Sequence, residues 1–190
     1  MLSGIGPRKY LEKFNIPVIV NNPEVGQNLR DHLNLPLYFH LHAPVSITTA
    51  KARSISEIWK FAWHGKGFLA NSGVEAVARI PVPGNSTSSK LYFMLFNVGS
   101  INEGLFSTIA NFKNVTFLSA FPSSNNISKE GFVILASCTH PSSKGKLELV
   151  SENPWIPPAI DPNYLSKRED IKCLTKGRNF FIYLVLFRRN

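Results

Sequence analysis

The sequence predicts an α+β fold: an α/β stub over residues 1–32, then a mostly antiparallel sheet with a few helices. Three observations lead there. A glycine turn, a short helical pattern and the apolar run IPVIV follow one another at the start, as at the end of an α/β unit. The middle of the chain holds short apolar runs separated by Gly/Ser/Asn/Pro loops, the spacing of an antiparallel sheet. Helical periodicity with start signals occurs in only two later stretches.

Each element has its own warrant. Pro7 suits a first helical position, and Tyr10, Leu11 and Phe14 follow at helical spacing, so a short helix should end near Asn15. Ile16–Val20 reads as a short buried strand, with the turn-rich NNPEVGQN after it. Leu35–His42 is a predicted strand with a proline near its start. Ser54 and Glu57 have capping-box spacing, Ile55, Ile58, Trp59 and Ala62 share a face, and Gly65 is a stop, giving a helix from Ile55 to His64. Further strands are expected at 74–80, 91–97, 115–120, 132–138 and 146–150. NPWIPPAIDPNYL should be extended, because each proline fixes its own φ and restricts the residue before it. Ser166 and Glu169 form a second capping-box pattern, opening a helix with Ile171 and Leu174 inward.

The 190 residues suffice for one domain with a sizeable core, or one domain plus part of another. An apolar fraction of 44% against 17% charged residues excludes a disordered chain. The net charge of +9 raises nucleic acid as a partner, but its distribution argues against it. Basic side chains are scattered singly up to residue 160, whereas 165–190 alone holds seven basic and two acidic residues. A biased terminal segment is not a binding stripe. No signal peptide is recognisable, and the longest apolar run, Phe180–Phe187, is too short to span a bilayer. Cys138 and Cys173 do not make a disulfide framework, and Cys138 in FVILASC reads as a small core residue. Sequons at Asn85, Asn114 and Asn126 point towards secretion.

Gly65-Lys-Gly67-Phe-Leu-Ala70 matches a dinucleotide fingerprint in letters only. That chemistry needs a strand before the turn and a helix N-terminus after it, facing the pyrophosphate. Here a helix precedes and extended chain is expected to follow, so the run is a helix stop. Ser3-Gly-Ile-Gly6 is too short for the same role. His40 and His42 share a strand face, but no third ligand is near, and the pair reads as lining the sheet rather than holding a metal. The stretch Glu24–His32 stands apart because it follows a strand, and open α/β sheets bind ligands beyond their strands' carboxyl ends. Gly26 permits close backbone approach, Asn28 both donates and accepts, and Asp31–His32 is a hydrogen-bonding pair. A polar loop crossing between domains explains the same residues equally well.

The run MLSGIGP…IPVIV…VGQNLRDH resembles the glucose–methanol–choline family of flavin-dependent oxidoreductases, especially insect glucose dehydrogenase-like members. The resemblance continues in order through GFLANSGVEAVARI and HPSSKGKLELVSENPWIPPAIDPNYLSKREDI, and so spans most of the chain. It implies FAD as cofactor and hydride transfer from a substrate C–OH to the flavin, with a histidine taking the hydroxyl proton. It places residues 1–32 in the C-terminal piece of the FAD-binding domain. Residues 33–190 fall in the substrate-binding domain and the start of the C-terminal region. Gly26, Asn28, Asp31 and His32 are then the expected cofactor-side residues.

The departures are equally specific. The family's G-x-G-x-x-G turn is not found in the right context, and the last histidine, His140 in HPSSKG, is not the family's catalytic motif. No residue is therefore named catalytic. Met1 falls inside the family signature, so the sequence reads as a central fragment of an FAD-dependent oxidoreductase acting on alcohols or sugars. The alternative is a non-enzymatic truncated paralogue serving as a binding or structural module. The chain alone is not expected to retain FAD, and its apolar runs should make it aggregate. Beyond about Gly177 the tail departs from the family pattern, as if the frame had left the ancestral coding sequence.

Overall fold

In the computed structural model, residues 1–81, 90–100 and 129–187, together with 105, 108, 110, 111 and 113, are described. A four-stranded antiparallel sheet dominates, built from β3 (Leu35–His40), β4 (Val74–Pro81), β5 (Lys90–Phe96) and β6 (Gly131–Cys138) in the order β3-β6-β5-β4. Ahead of it lie β1 (Ile5–Gly6), α1 (Arg8–Lys13) and β2 (Val20–Asn21), with β1 and β2 paired in parallel. Between β3 and β4 come α2 (Thr49–Ala52), α3 (Ile55–His64) and a 3₁₀ turn at Phe68–Ala70. The small hairpin β7 (Lys146–Glu148) and β8 (Ala159–Asp161) precedes the long helix α4 (Arg168–Phe187). The fold is α+β, as the sequence predicts.

Strand alternation sets the core. Leu91 and Phe93 of β5, with Ile134, Ala136 and Cys138 of β6, point to one face and are buried. Leu35, Leu37 and Phe39 of β3 extend that face, and α4 covers it with Cys173, Leu174, Phe180 and Phe181. Phe181 meets Phe93 at 5.2 Å and Phe39 at 6.1 Å between ring centroids. A disulfide joins Cys138 to Cys173 and fastens α4 to the sheet. Val133 and Val98 form a second cluster on the opposite face with Tyr38, Phe96, Leu105 and Leu135. Past Gly177 the helix continues unbroken to Phe187, and its aromatic residues Phe180 and Phe181 supply part of the core.

Several expectations need correction. Ile16–Val20 is not a buried strand: only Val20–Asn21 is in strand conformation, and Ile19 is 74% exposed. Pro17 supplies no N–H in the middle of the run, and the Gly4 carbonyl accepts from both Ile19 and Val20, so regular pairing starts late. The Ser54 hydroxyl makes no cap hydrogen bond but pairs with Ser56, while Glu57 turns to Lys60 and the Phe68 N–H. At the second capping box the helix begins only at Arg168, and its first turn is held through Asp170. The two cysteines, weighed singly in the sequence, are bonded to each other. The expected strand at 115–120 and the three sequon asparagines lie outside the described residues. Among the described residues no group of histidine, cysteine or acidic side chains could hold a metal.

The chain after Gly67 is a 3₁₀ turn rather than extended. Gly67 has φ 89° and ψ −174°, a region open to glycine alone, and a Cβ there would meet the Glu57 carboxylate. Gly67→Ala is expected to lower stability by about 1–2 kcal/mol, read as a lower urea midpoint with an unchanged m-value. An unshifted midpoint would show that the turn relaxes freely.

Candidate functional site

The loop after β2 is shaped by its own side chains. The Asn22 carboxamide oxygen accepts from the Glu24 N–H at 3.0 Å, and the Glu24 carbonyl accepts from the Gln27 N–H at 3.0 Å. Gly26 and Asn28 sit at φ 88° and 60°, the left-handed region where glycine and asparagine are favoured. At Gly26 the need is also steric, since a Cβ would run into the Leu147 carbonyl and the Met1 side chain. The Leu147 N–H donates to the Gly26 carbonyl at 2.7 Å.

From there the loop fastens onto the segment 139–147. Leu29 and Gly145 exchange backbone hydrogen bonds of 3.0 and 2.8 Å. Lys144 Nζ donates to Asn28 Oδ1 at 2.9 Å, and Asn28 Nδ2 donates to Glu24 at 2.8 Å. Arg30 donates to the Pro141 carbonyl at 3.1 Å. His32 Nε2 lies 3.0 Å from the Thr139 carbonyl, which only accepts, so this nitrogen carries the proton. The Asp31 carboxylate accepts from the His32 backbone N–H at 2.8 Å and from the Tyr164 hydroxyl. That bond, with burial adding to it, pushes the Tyr164 phenol up to about 12.

Asp170, in the first turn of α4, holds the other side of the segment. Its carboxylate accepts from the backbone N–H groups of Ser142 at 2.7 Å and Ser143 at 2.8 Å. Ser143 Oγ in turn accepts from the Lys167 N–H at 3.1 Å. Burial pushes the Asp170 carboxyl up, but the Ser143 and Ser142 hydrogen bonds and the nearby Arg30 outweigh it and hold it below the usual range.

Gly26, Asn28, Asp31 and His32 are thus gathered on one loop, each held by the chain itself. Asp31 and His32 are paired through backbone, not through the imidazole. Ser142, Ser143, Lys144, Tyr164 and Asp170 complete the arrangement, and sequence reasoning did not reach them. The only local signal was the acidic first turn of α4. An open, mainly apolar concavity of about 450 Å³ lies beside Gly26, lined in part by Met1, Val25, Leu147 and Ile156. On the sheet side of the loop a groove of about 480 Å³ is lined by His32, Arg79, Tyr92, Thr139 and His140. The resemblance implies FAD near this loop, which offers three polar side chains, those of Asn28, Asp31 and His32, and the backbone of Gly26. Their hydrogen bonds run to protein partners, and the close approach at Gly26 is filled by Leu147 and Met1.

No family model matches the chain. It is 36% identical over 188 residues to neither inactivation nor afterpotential protein G of Drosophila melanogaster, covering 97% of this chain and 32% of that protein. It is 31% identical over 183 residues to the glucose-methanol-choline family oxidoreductase mfmG of Annulohypoxylon moriforme, covering 92% of this chain and 29% of the relative. Formate oxidase from Aspergillus oryzae shares the fold with a TM-score of 0.71 at 20% identity, over 96% of this chain and 34% of the oxidase. The chain therefore spans about a third of the length of the relatives it matches. Its fold and its sequence matches are those of flavoprotein oxidoreductases. Within that class the chain resembles, over about a third of the relatives' length, the glucose–methanol–choline oxidoreductases.

Proposed function

We propose that this chain supplies the substrate-side part of an FAD-dependent oxidoreductase acting on CH–OH groups of alcohols or sugars. Residues 1–32 contribute the end of the FAD-binding domain, and residues 33–190 the substrate-binding domain with the start of the C-terminal region. The carrying observation is the zipper between the Gly26–His32 loop and segment 139–147, which joins the N-terminal α/β piece to the end of the antiparallel sheet. The family name given to the fungal relative, glucose-methanol-choline, lists three molecules that each bear a CH–OH group. Bound FAD would accept the hydride. This chain's part is to fix the loop against the sheet and to wall the site with the groove at His32, Tyr92 and His140. Gly26, Asn28, Asp31 and His32 then shape the cofactor side through backbone placement rather than direct side-chain ligation. The Cys138–Cys173 disulfide favours a secreted protein, because such bonds persist in oxidising compartments.

The test is the complete transcript and its product. We expect a strand, a G-x-G-x-x-G turn and a helix encoded upstream, and a histidine-bearing segment downstream. The translated protein should hold flavin and reduce a dye acceptor with an alcohol or sugar. A complete transcript lacking the glycine turn, or a product without flavin absorbance, overturns the reading.

A further inference from the structure

Helix α3 is mounted with its apolar stripe outward. Ile58, Ala62, Ile55, Trp59 and Trp63 fall within roughly 140° of arc at about 100° per residue. Ile55 is 72% exposed, Trp59 54% and Trp63 71%. The side turned to the protein carries Glu57, only 7% exposed, whose carboxylate accepts from Lys60 and from the Phe68 N–H. The Phe68 bond leaves the helix and turns the Glu57 side towards the following 3₁₀ turn, which places the stripe on the other side. The indoles of Trp59 and Trp63 stack on each other with ring centroids 5.7 Å apart and planes within 9°, making a joined apolar plate of two rings.

Charge around the plate has one sign. Residues 49–67 include Lys51, Arg53, Lys60 and Lys66 against the single acid Glu57; Lys51 pairs with Glu130 and Lys60 with Glu57, which leaves Arg53 and Lys66 as the cations that carry the sign. Arg53, at the end of α2, and Lys66, just after α3, are exposed, as is His64 in the last turn of α3. Exposed tryptophans on an apolar helix face with cations nearby suit the headgroup region of a bilayer, where indoles seat and lysine and arginine meet anionic phosphates. No helix among the described residues is long and apolar enough to cross a membrane. We infer that α3 docks onto an anionic lipid surface. This goes beyond the proposed oxidoreductase role and does not depend on it.

The experiment is flotation with vesicles of phosphatidylcholine and phosphatidylserine, compared with phosphatidylcholine alone. Flotation also separates bound protein from aggregates, which sediment. It is run on the 190-residue chain and on the protein translated from the complete transcript. In the 190-residue chain a Trp155→Phe background removes the third indole, so its fluorescence reports α3 alone. We expect flotation on the anionic vesicles with a blue shift of the emission, weakened by salt. Trp59→Ser with Trp63→Ser should weaken binding at least about ten-fold without moving the melting curve, because both indoles are exposed. Arg53→Gln and Lys66→Gln should each weaken it about five-fold on anionic vesicles only. Absence of flotation, or flotation unchanged by the tryptophan substitutions, overturns the inference. So does shielding of both indoles from acrylamide in the complete protein, which would mean that other polypeptide covers them. A dimer that dissociates on the tryptophan substitutions would make a second copy the occupant and overturn it as well.

Discussion

Removing the Cys138–Cys173 bond is expected to destabilise the chain by about 4 kcal/mol, the loop-closure value for a cross-link of this span. The bonded cysteines are 35 residues apart, so the bond closes a long loop holding the β7–β8 hairpin and the proline-rich segment. With the bond cut, α4 keeps the packing of Leu174, Phe180 and Phe181 on the sheet and the hold of the Asp170 carboxylate on Ser142 and Ser143. Cys173→Ala, Cys138→Ala and the double variant should all lose nearly the same stability, since each removes one and the same bond. Reduced wild-type chain should match them in a urea titration, its small apolar thiols replacing the bond in a core position. Equal midpoints for the oxidised chain and the double variant would show that packing alone holds the helix.

The contrast between legible and illegible parts follows sequence distance. The four strands of the main sheet were readable because alternation is a local signal, and Leu91/Phe93 and Ile134/Ala136 carry it within a few residues. The ends of α3 were readable for the same reason, from Ser54 and Gly65. Its facing was not. The stripe at Ile55, Ile58 and Trp59 predicts a buried side, but the buried Glu57 is turned inward by its bond to the Phe68 N–H, which lies beyond the end of the helix. The candidate loop was found from its turn chemistry at Gly26 and Asn28. What it docks against was invisible, because Leu29 meets Gly145 and His32 meets Thr139 more than a hundred residues away. The disulfide was missed on the same ground: neither cysteine's neighbourhood names its partner.

Asp170 offers a prediction with a pH signature of its own. The carboxylate is buried and accepts from two backbone N–H groups, so Asp170→Ala strands both donors and should cost about 2–4 kcal/mol. Asp170→Asn keeps the shape but removes the charge, and it turns an N–H₂ towards donors, so it should lose much of the same stability. The folded-state carboxyl is held below its ordinary value, by the Ser143 and Ser142 bonds and Arg30 against the opposing effect of burial. A depressed carboxyl contributes stability that is fully present above the unfolded value, about 3.9, and is lost as pH falls through the lower folded value. The wild type should therefore exceed Asp170→Asn by a constant margin from neutral pH down to about pH 5, with the margin shrinking below about pH 4. Both proteins will still weaken in acid. Burial raises the Glu130 carboxyl, but Lys51 and Ser46 outweigh it and hold it low, so the same loss operates there. The informative quantity is accordingly the difference between the two urea midpoints, not either midpoint alone. A difference that stays constant through the acid range would mean that the Asp170 charge contributes nothing to fastening segment 139–147, and that the candidate loop is docked by its backbone bonds to Gly145 and Leu147 instead.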